Sequence, residues 1–307
     1  MKKNISRFAF LNVMAVLLFS ACSSVPAQQS SADTFSVLAS TSFLADIAQN
    51  VAGDHVTVET LLPLGADPHA YQAAPSDVSK IAKSDVLILN GLEYEHFIEP
   101  LLENAGGEHL IITATDGLTP NQIESEETPG EMVGDPHMWL DVSRVVKYVE
   151  NIRDGLIQAD PDGAEIYKAN ADNYIAQLTE LDAWIIEQVN AIPAERRLLV
   201  TNHEAMGYFA QRYGFTVVSS ILPSFSSEAG VSAQEIAAAI ESVKASNAPA
   251  IFLSEVENAD LANQIASETG VKVVNTLYLE SLTDGAPAPT YIDMMKHNVT
   301  EIVNALK

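Results

Sequence analysis

Short apolar runs alternate with amphipathic stretches along most of this chain. Residues 35–39, 56–62, 86–90 and 110–112 read as strands, and residues 43–51, 77–83 and 97–104 as the helices between them. Strands separated by helices favour parallel pairing and an α/β layer architecture. A long helical region follows. Residues 142–157 form one helix, and Pro161, well suited to a first helical turn, opens another that runs to about Asn190. In it Tyr167, Ala171, Tyr174, Ile175, Leu178, Leu181, Ile185 and Val189 recur at three- and four-residue steps. At ~1.5 Å per residue such a helix is roughly 40 Å long, enough to cross a domain as a rigid spine. The strand–helix alternation then restarts: strands at 198–200, 216–221, 251–253 and 271–274, helices at 205–213, 232–246, 259–269 and 291–306.

The halves share an order of elements. Val37-Leu38-Ala39-Ser40-Thr41 can be laid over Leu199-Val200-Thr201-Asn202-His203, and Leu61-Leu62-Pro63 over Ile221-Leu222-Pro223. The expected fold is therefore α/β: two similar α/β lobes joined by one long rigid helix. The boundaries fall at 34–143 for the N-terminal lobe, 144–196 for the helical connection and 197–307 for the C-terminal lobe. Ligands of open α/β sheets bind beyond the carboxyl ends of the strands, so the cleft between the lobes is the expected site.

The N-terminus changes the picture of where the protein works. Lys2, Lys3 and Arg7 precede an apolar run, Phe8 to Phe19, too short to span a bilayer comfortably. Residues 1–21 read as a signal peptide. Leu17-Leu18-Phe19-Ser20-Ala21-Cys22 resembles a lipobox, in which Cys22 is lipidated; cleavage nearby, for instance after Ala27, is the plainer alternative. Residues 22–33 then form a flexible tether. Cys22 is the only cysteine, so the folded body has neither disulfide nor cysteine metal site. Removing the three leader cations takes the formal net charge from −25 to −28, which argues against a nucleic-acid partner.

Three of the seven histidines occupy settings that present them. His69 and His137 each follow Asp-Pro, and His203 follows a strand in Thr201-Asn202-His203-Glu204. Proline fixes its own φ and biases the residue before it away from helix, so Asp-Pro-His is a stiff turn. All three lie at strand-to-helix connections, where nitrogens from two lobes can converge on a metal. His55, His96, His109 and His297 lack such settings and read as solvated, as does the acidic group Glu93, Glu95 and Glu99. A fourth ligand should come from the segment after the strand at 271–274; Glu280 is the choice, with Asp284 the runner-up. Enzyme readings fare poorly. His203 has Gly207, not histidine, four residues on, so the two-histidine zinc-hydrolase helix is missing, and no phosphate loop or nucleophile elbow occurs.

These motifs resemble the zinc/manganese solute-binding lipoproteins of ABC transporters. Gly65-Ala66-Asp67-Pro68-His69-Ala70-Tyr71 is similar to the family's first signature and Asp135-Pro136-His137-Met138-Trp139-Leu140-Asp141 to its second. Thr201 to Phe209 resembles the third, and Glu280-Ser281-Leu282 through Tyr291 the fourth. The resemblance implies two α/β lobes joined by a long helix, with His69, His137, His203 and Glu280 as metal ligands. It implies no catalysis, and it implies an ABC permease and its ATPase as partners, with a lipid anchor in the membrane and a monomeric receptor. Zn2+ is the expected ion and Mn2+ the alternative, because manganese members often carry Glu at the third position and prefer more oxygen. Residues 119–134, with Glu124, Glu126, Glu127 and Glu131 but no histidine, lack the histidine-rich loop of some zinc members. A metal buffer or adhesin-like surface lipoprotein is the reading from another class.

Overall fold

The computed structural model describes residues 35–124, 132–221, 232–255 and 259–307. The signal peptide, Cys22 and the tether lie outside the described residues, as do Glu126, Glu127, Glu131, Leu222 and Pro223. Residues 35–307 form one compact unit.

Its first half contains β1 (Val37–Ala39), α1 (Ser42–Ala52), β2 (Val58–Thr60), α2 (Pro75–Ile81), β3 (Val86–Leu89), α3 (Ile98–Ala105) and β4 (Leu110–Thr113). The strands form a parallel sheet in the order β2-β1-β3-β4. The second half has β7 (Leu198–Thr201), α6 (Gly207–Tyr213), β8 (Thr216–Ser220), α7 (Ala233–Ser246), β9 (Ala250–Ser254), α8 (Ala259–Thr269), β10 (Lys272–Leu277) and α9 (Tyr291–Leu306). Its sheet runs β10-β9-β7-β8, again all parallel. Renumbered within its half, this is the first order reversed, so the two sheets share one topology. The weak repeat in sequence overlays β1 on β7, which occupy equivalent places.

Between the halves lie α4 (Val142–Ala159) and α5 (Ala164–Val189). A 3-10 turn over Pro161–Gly163 precedes α5, so the spine starts three residues later than its sequence suggests. Proline fits that first turn because it has no N–H to satisfy. The 26 residues of α5 span about 39 Å. Tyr167, Ala171, Tyr174, Leu178, Leu181, Ile185 and Val189 are buried on one face, which packs against α1 and α4 on one side and α9 on the other. The large core is continuous across both halves, from Val37 through Trp139 and Tyr174 to Leu306. Gly155 in the middle of α4 makes one close approach possible, because a Cβ there would collide with Ile112 of β4. Among the described residues no helix is long and apolar enough to cross a membrane.

The hairpin β5 (Gln122–Glu124) and β6 (Met132–Gly134) was not expected. Three-residue strands bracketing an acidic segment leave too little alternation to read from sequence. The hairpin is tied down where Tyr208 of α6 accepts the Asn121 amide and donates to the carbonyl of Asp135, at 2.9 and 2.8 Å.

Candidate metal centre

The segments after β2, β7 and β10 leave the carboxyl ends of their parallel sheets, and the segment after the antiparallel β5–β6 hairpin meets them at the same point. There His69, His137, His203 and Glu280 each offer a ligand atom, and the four atoms lie within 4.8 Å of one another. Glu280 Oε1 is 4.0, 3.7 and 3.5 Å from the Nε2 atoms of His69, His137 and His203. The imidazole centroids form a nearly equilateral triangle with sides of 5.6, 5.6 and 5.4 Å. A tetrahedral ion with bonds of ~2.0–2.1 Å needs ligand atoms about 3.3–3.4 Å apart. The Glu280 gaps of 3.5 to 4.0 Å are near or somewhat above that, and other pairs lie up to 4.8 Å apart, so the side chains must draw together to close a cage. The side chains are almost fully buried, from 0 to 4% exposed. Among the described residues, His69 Nε2 and Glu280 Oε1 have no hydrogen-bond partner. Buried polar atoms without partners are costly, and an ion of the right chemistry satisfies both.

The two Asp-Pro-His turns work alike. Asp67 Oδ1 accepts the backbone amide of His69 at 2.9 Å, and Asp135 Oδ1 accepts that of His137 at 2.9 Å. Asp135 Oδ1 also lies 2.9 Å from His137 Nδ1. This holds the ring by one nitrogen and presents the other, an arrangement common to metal-ligating histidines. In the β7–α6 connection the Thr201 hydroxyl donates to the carbonyl of His203 at 2.8 Å.

The Glu280 loop is held by residues that sequence reasoning missed. Glu255, directly after β9, accepts the amides of Leu279, Glu280 and Ser281 at 2.9, 3.2 and 2.6 Å. The Trp139 indole donates to the carbonyl of Leu279 at 2.8 Å. Ser281 Oγ accepts the Gly65 amide at 2.8 Å, and Ser42 Oγ accepts the amide of Leu282 at 2.9 Å. These bonds tie the loop of one half to α1, the His69 loop and the His137 segment of the other. The one signal for Glu255 was a carboxylate just beyond the apolar run at 251–253.

Asp284, the runner-up ligand, lies exposed and outside the cluster. Its segment turns outward as the Thr283 hydroxyl donates to the carbonyl of Gly285 at 2.5 Å. His55 and His96 are exposed as expected, while His109 and His297 are half-buried and bonded to backbone carbonyls. The reading of Glu95 as a solvated residue fails. It is buried, and its carboxylate accepts from Ser40 Oγ and the amides of Asn90 and Gly91. The spacing resembled a helix start, but α3 begins only at Ile98.

Charge within the site favours ligand-ready forms. Burial lowers the pKa of His69 to about 3, outweighing the upward pull of Glu280. Burial pushes the Glu280 carboxyl up, but the neighbouring imidazoles, His203 foremost, pull it further down, to about 2. His69 is thus a neutral base, and Glu280 an anion, throughout the physiological range.

Three imidazoles and one carboxylate lie buried between two like sheets joined by a spine helix, a donor set that could hold a divalent transition-metal ion. Residues 37–305 match the family described as zinc-uptake complex component A, periplasmic (ZnuA), and the chain belongs to that family. The manganese-binding lipoprotein MntA of Halalkalibacterium halodurans is 36% identical over 301 residues, covering 97% of this chain and 98% of that protein. The iron-binding protein YfeA of Yersinia pestis is 34% identical over 273 residues, covering 88% and 86%. In structure the chain resembles the periplasmic zinc binding protein TroA from Treponema pallidum, with a TM-score of 0.80 and 28% identity, covering 88% of this chain and 98% of that one. This protein is an extracytoplasmic metal-binding receptor for ABC transport and not an enzyme.

Proposed function

We propose that this receptor captures zinc through His69, His137, His203 and Glu280 and delivers it to an ABC permease and its ATPase for import. The observation that carries the reading is the donor set: three imidazole nitrogens around one carboxylate oxygen in a buried cluster. Nitrogen-rich four-coordinate sites suit zinc, whereas manganese favours oxygen donors and six-fold coordination. Manganese is the competing cargo, because the MntA relative is named for it. Lipidation of Cys22 fits this role, since a tether at the membrane raises the local concentration of receptor at its permease.

Deleting the gene tests transport against simple metal storage. The deletion strain should stop growing at chelator concentrations that the parent tolerates, with recovery on added zinc and none on added manganese. Normal growth under chelation, with no other zinc importer present, would support a metal buffer instead. Recovery on manganese alone would reassign the cargo.

A further inference from the structure

The second carboxylate oxygen of Glu280 does not face the imidazoles. It accepts a hydrogen bond from the phenol of Tyr94 at 2.5 Å, and both residues are buried. We propose that Tyr94 sets the metal preference of the cluster by confining Glu280 to a single ligating oxygen. This rests on the reading of the four clustered side chains as metal ligands.

Tyr94 is aimed at Oε2 by its surroundings. Its ring lies 4.9 Å from that of Trp139 and 6.5 Å from that of Phe43, and it meets the His69 ring edge-on at 5.4 Å. The backbone that carries it is strained. Gly91, Leu92 and Glu93 have φ of 89, 57 and 60° in succession, and leucine and glutamate enter that region at a cost. Gly91 admits no side chain, since a Cβ there would lie 2.5 Å from Thr113. The buried Glu95 carboxylate pins the turn through the amides of Asn90 and Gly91. Strain of this kind persists where the surroundings over-determine it, commonly at functional sites. Here the side chain it delivers into the cluster is Tyr94.

The consequence is a coordination number. A carboxylate that binds through both oxygens adds a fifth donor to three imidazoles, moving the site toward the higher coordination that manganese accepts. Bringing Oε2 onto the ion would break a buried bond from a phenol to a carboxylate. With Oε2 held, Oε1 alone completes a four-coordinate shell, the geometry that suits zinc.

Tyr94→Phe removes one hydroxyl and keeps the ring and its packing. The test uses the mature protein with zinc, manganese or cobalt(II) added as the ion alone. The ratio of zinc to manganese affinity, measured by competition with chelators, should fall about ten-fold in the variant, within the range seen for outer-shell partners. The visible bands of the cobalt form should weaken as the shell expands beyond four, since tetrahedral cobalt absorbs most strongly. An unchanged ratio with an unchanged cobalt spectrum would overturn the proposal. So would equal losses for both metals without a spectral change, which would make Tyr94 a packing residue only. Should the wild-type protein bind none of these ions, the assignment of the four ligands falls, and this proposal with it.

Discussion

Glu280→Gln should weaken zinc binding by at least about 100-fold, while Asp284→Asn leaves it within about two-fold. The first estimate exceeds the ~10–100-fold typical of outer-shell changes, because the substitution removes the cluster's one anionic ligand. Glu280 lies at the centre of the site, with Oε1 within 4.0 Å of three imidazole nitrogens. On the proposed reading its charge offsets that of the ion at a fully buried position. A glutamine amide leaves a +2 ion without that compensation, and burial makes uncompensated charge costly. Asp284 is exposed and outside the cluster, so its neutralisation changes only a screened surface charge. Titration of both variants against a zinc chelator of known affinity checks this; comparable losses in the two would place the carboxylate ligand wrongly.

Trp139→Ala should destabilise the metal-free protein by about 3–5 kcal/mol, the range for truncating a large buried aromatic side chain. Trp139 is fully buried and stacks on Phe43 at 4.6 Å between centroids. Its indole N–H also joins the two halves by donating to Leu279, next to Glu280. The alanine variant thus loses packing area, gains a cavity and leaves a buried carbonyl without its donor. Trp139→Phe retains most of the packing and should lose less, with the missing hydrogen bond costing about 1–3 kcal/mol. Urea unfolding followed by circular dichroism measures both. A loss below about 1 kcal/mol for the alanine variant would show that the junction relaxes around the gap.

The long elements were readable because each buries one face. In α5, seven positions at helical spacing are buried over 26 residues, a pattern that chance does not sustain. The strands were readable because parallel sheets covered on both faces give short apolar runs, as in Ala250–Ser254. His69 and His137 were readable because a local device, an Asp accepting the amide two residues on across a proline, leaves its mark in sequence. The other supports are non-local. Tyr94 meets Glu280 across 186 residues and Trp139 meets Leu279 across 140, and neither partner carries a trace of the other. Glu95 was misread partly for the same reason: one of its donors is Ser40, 55 residues away, and the others are the amides of Asn90 and Gly91 in the turn after β3. The β5–β6 hairpin escaped because its strands are too short to show a period.

The most direct test of a four-ligand zinc site is the metal that the purified mature protein retains when equimolar zinc and manganese compete for it. After dialysis, elemental analysis should find one zinc per chain and little manganese, and the His69→Ala, His137→Ala double variant should retain neither. Manganese in excess of zinc, or zinc retained undiminished by the double variant, would contradict the account.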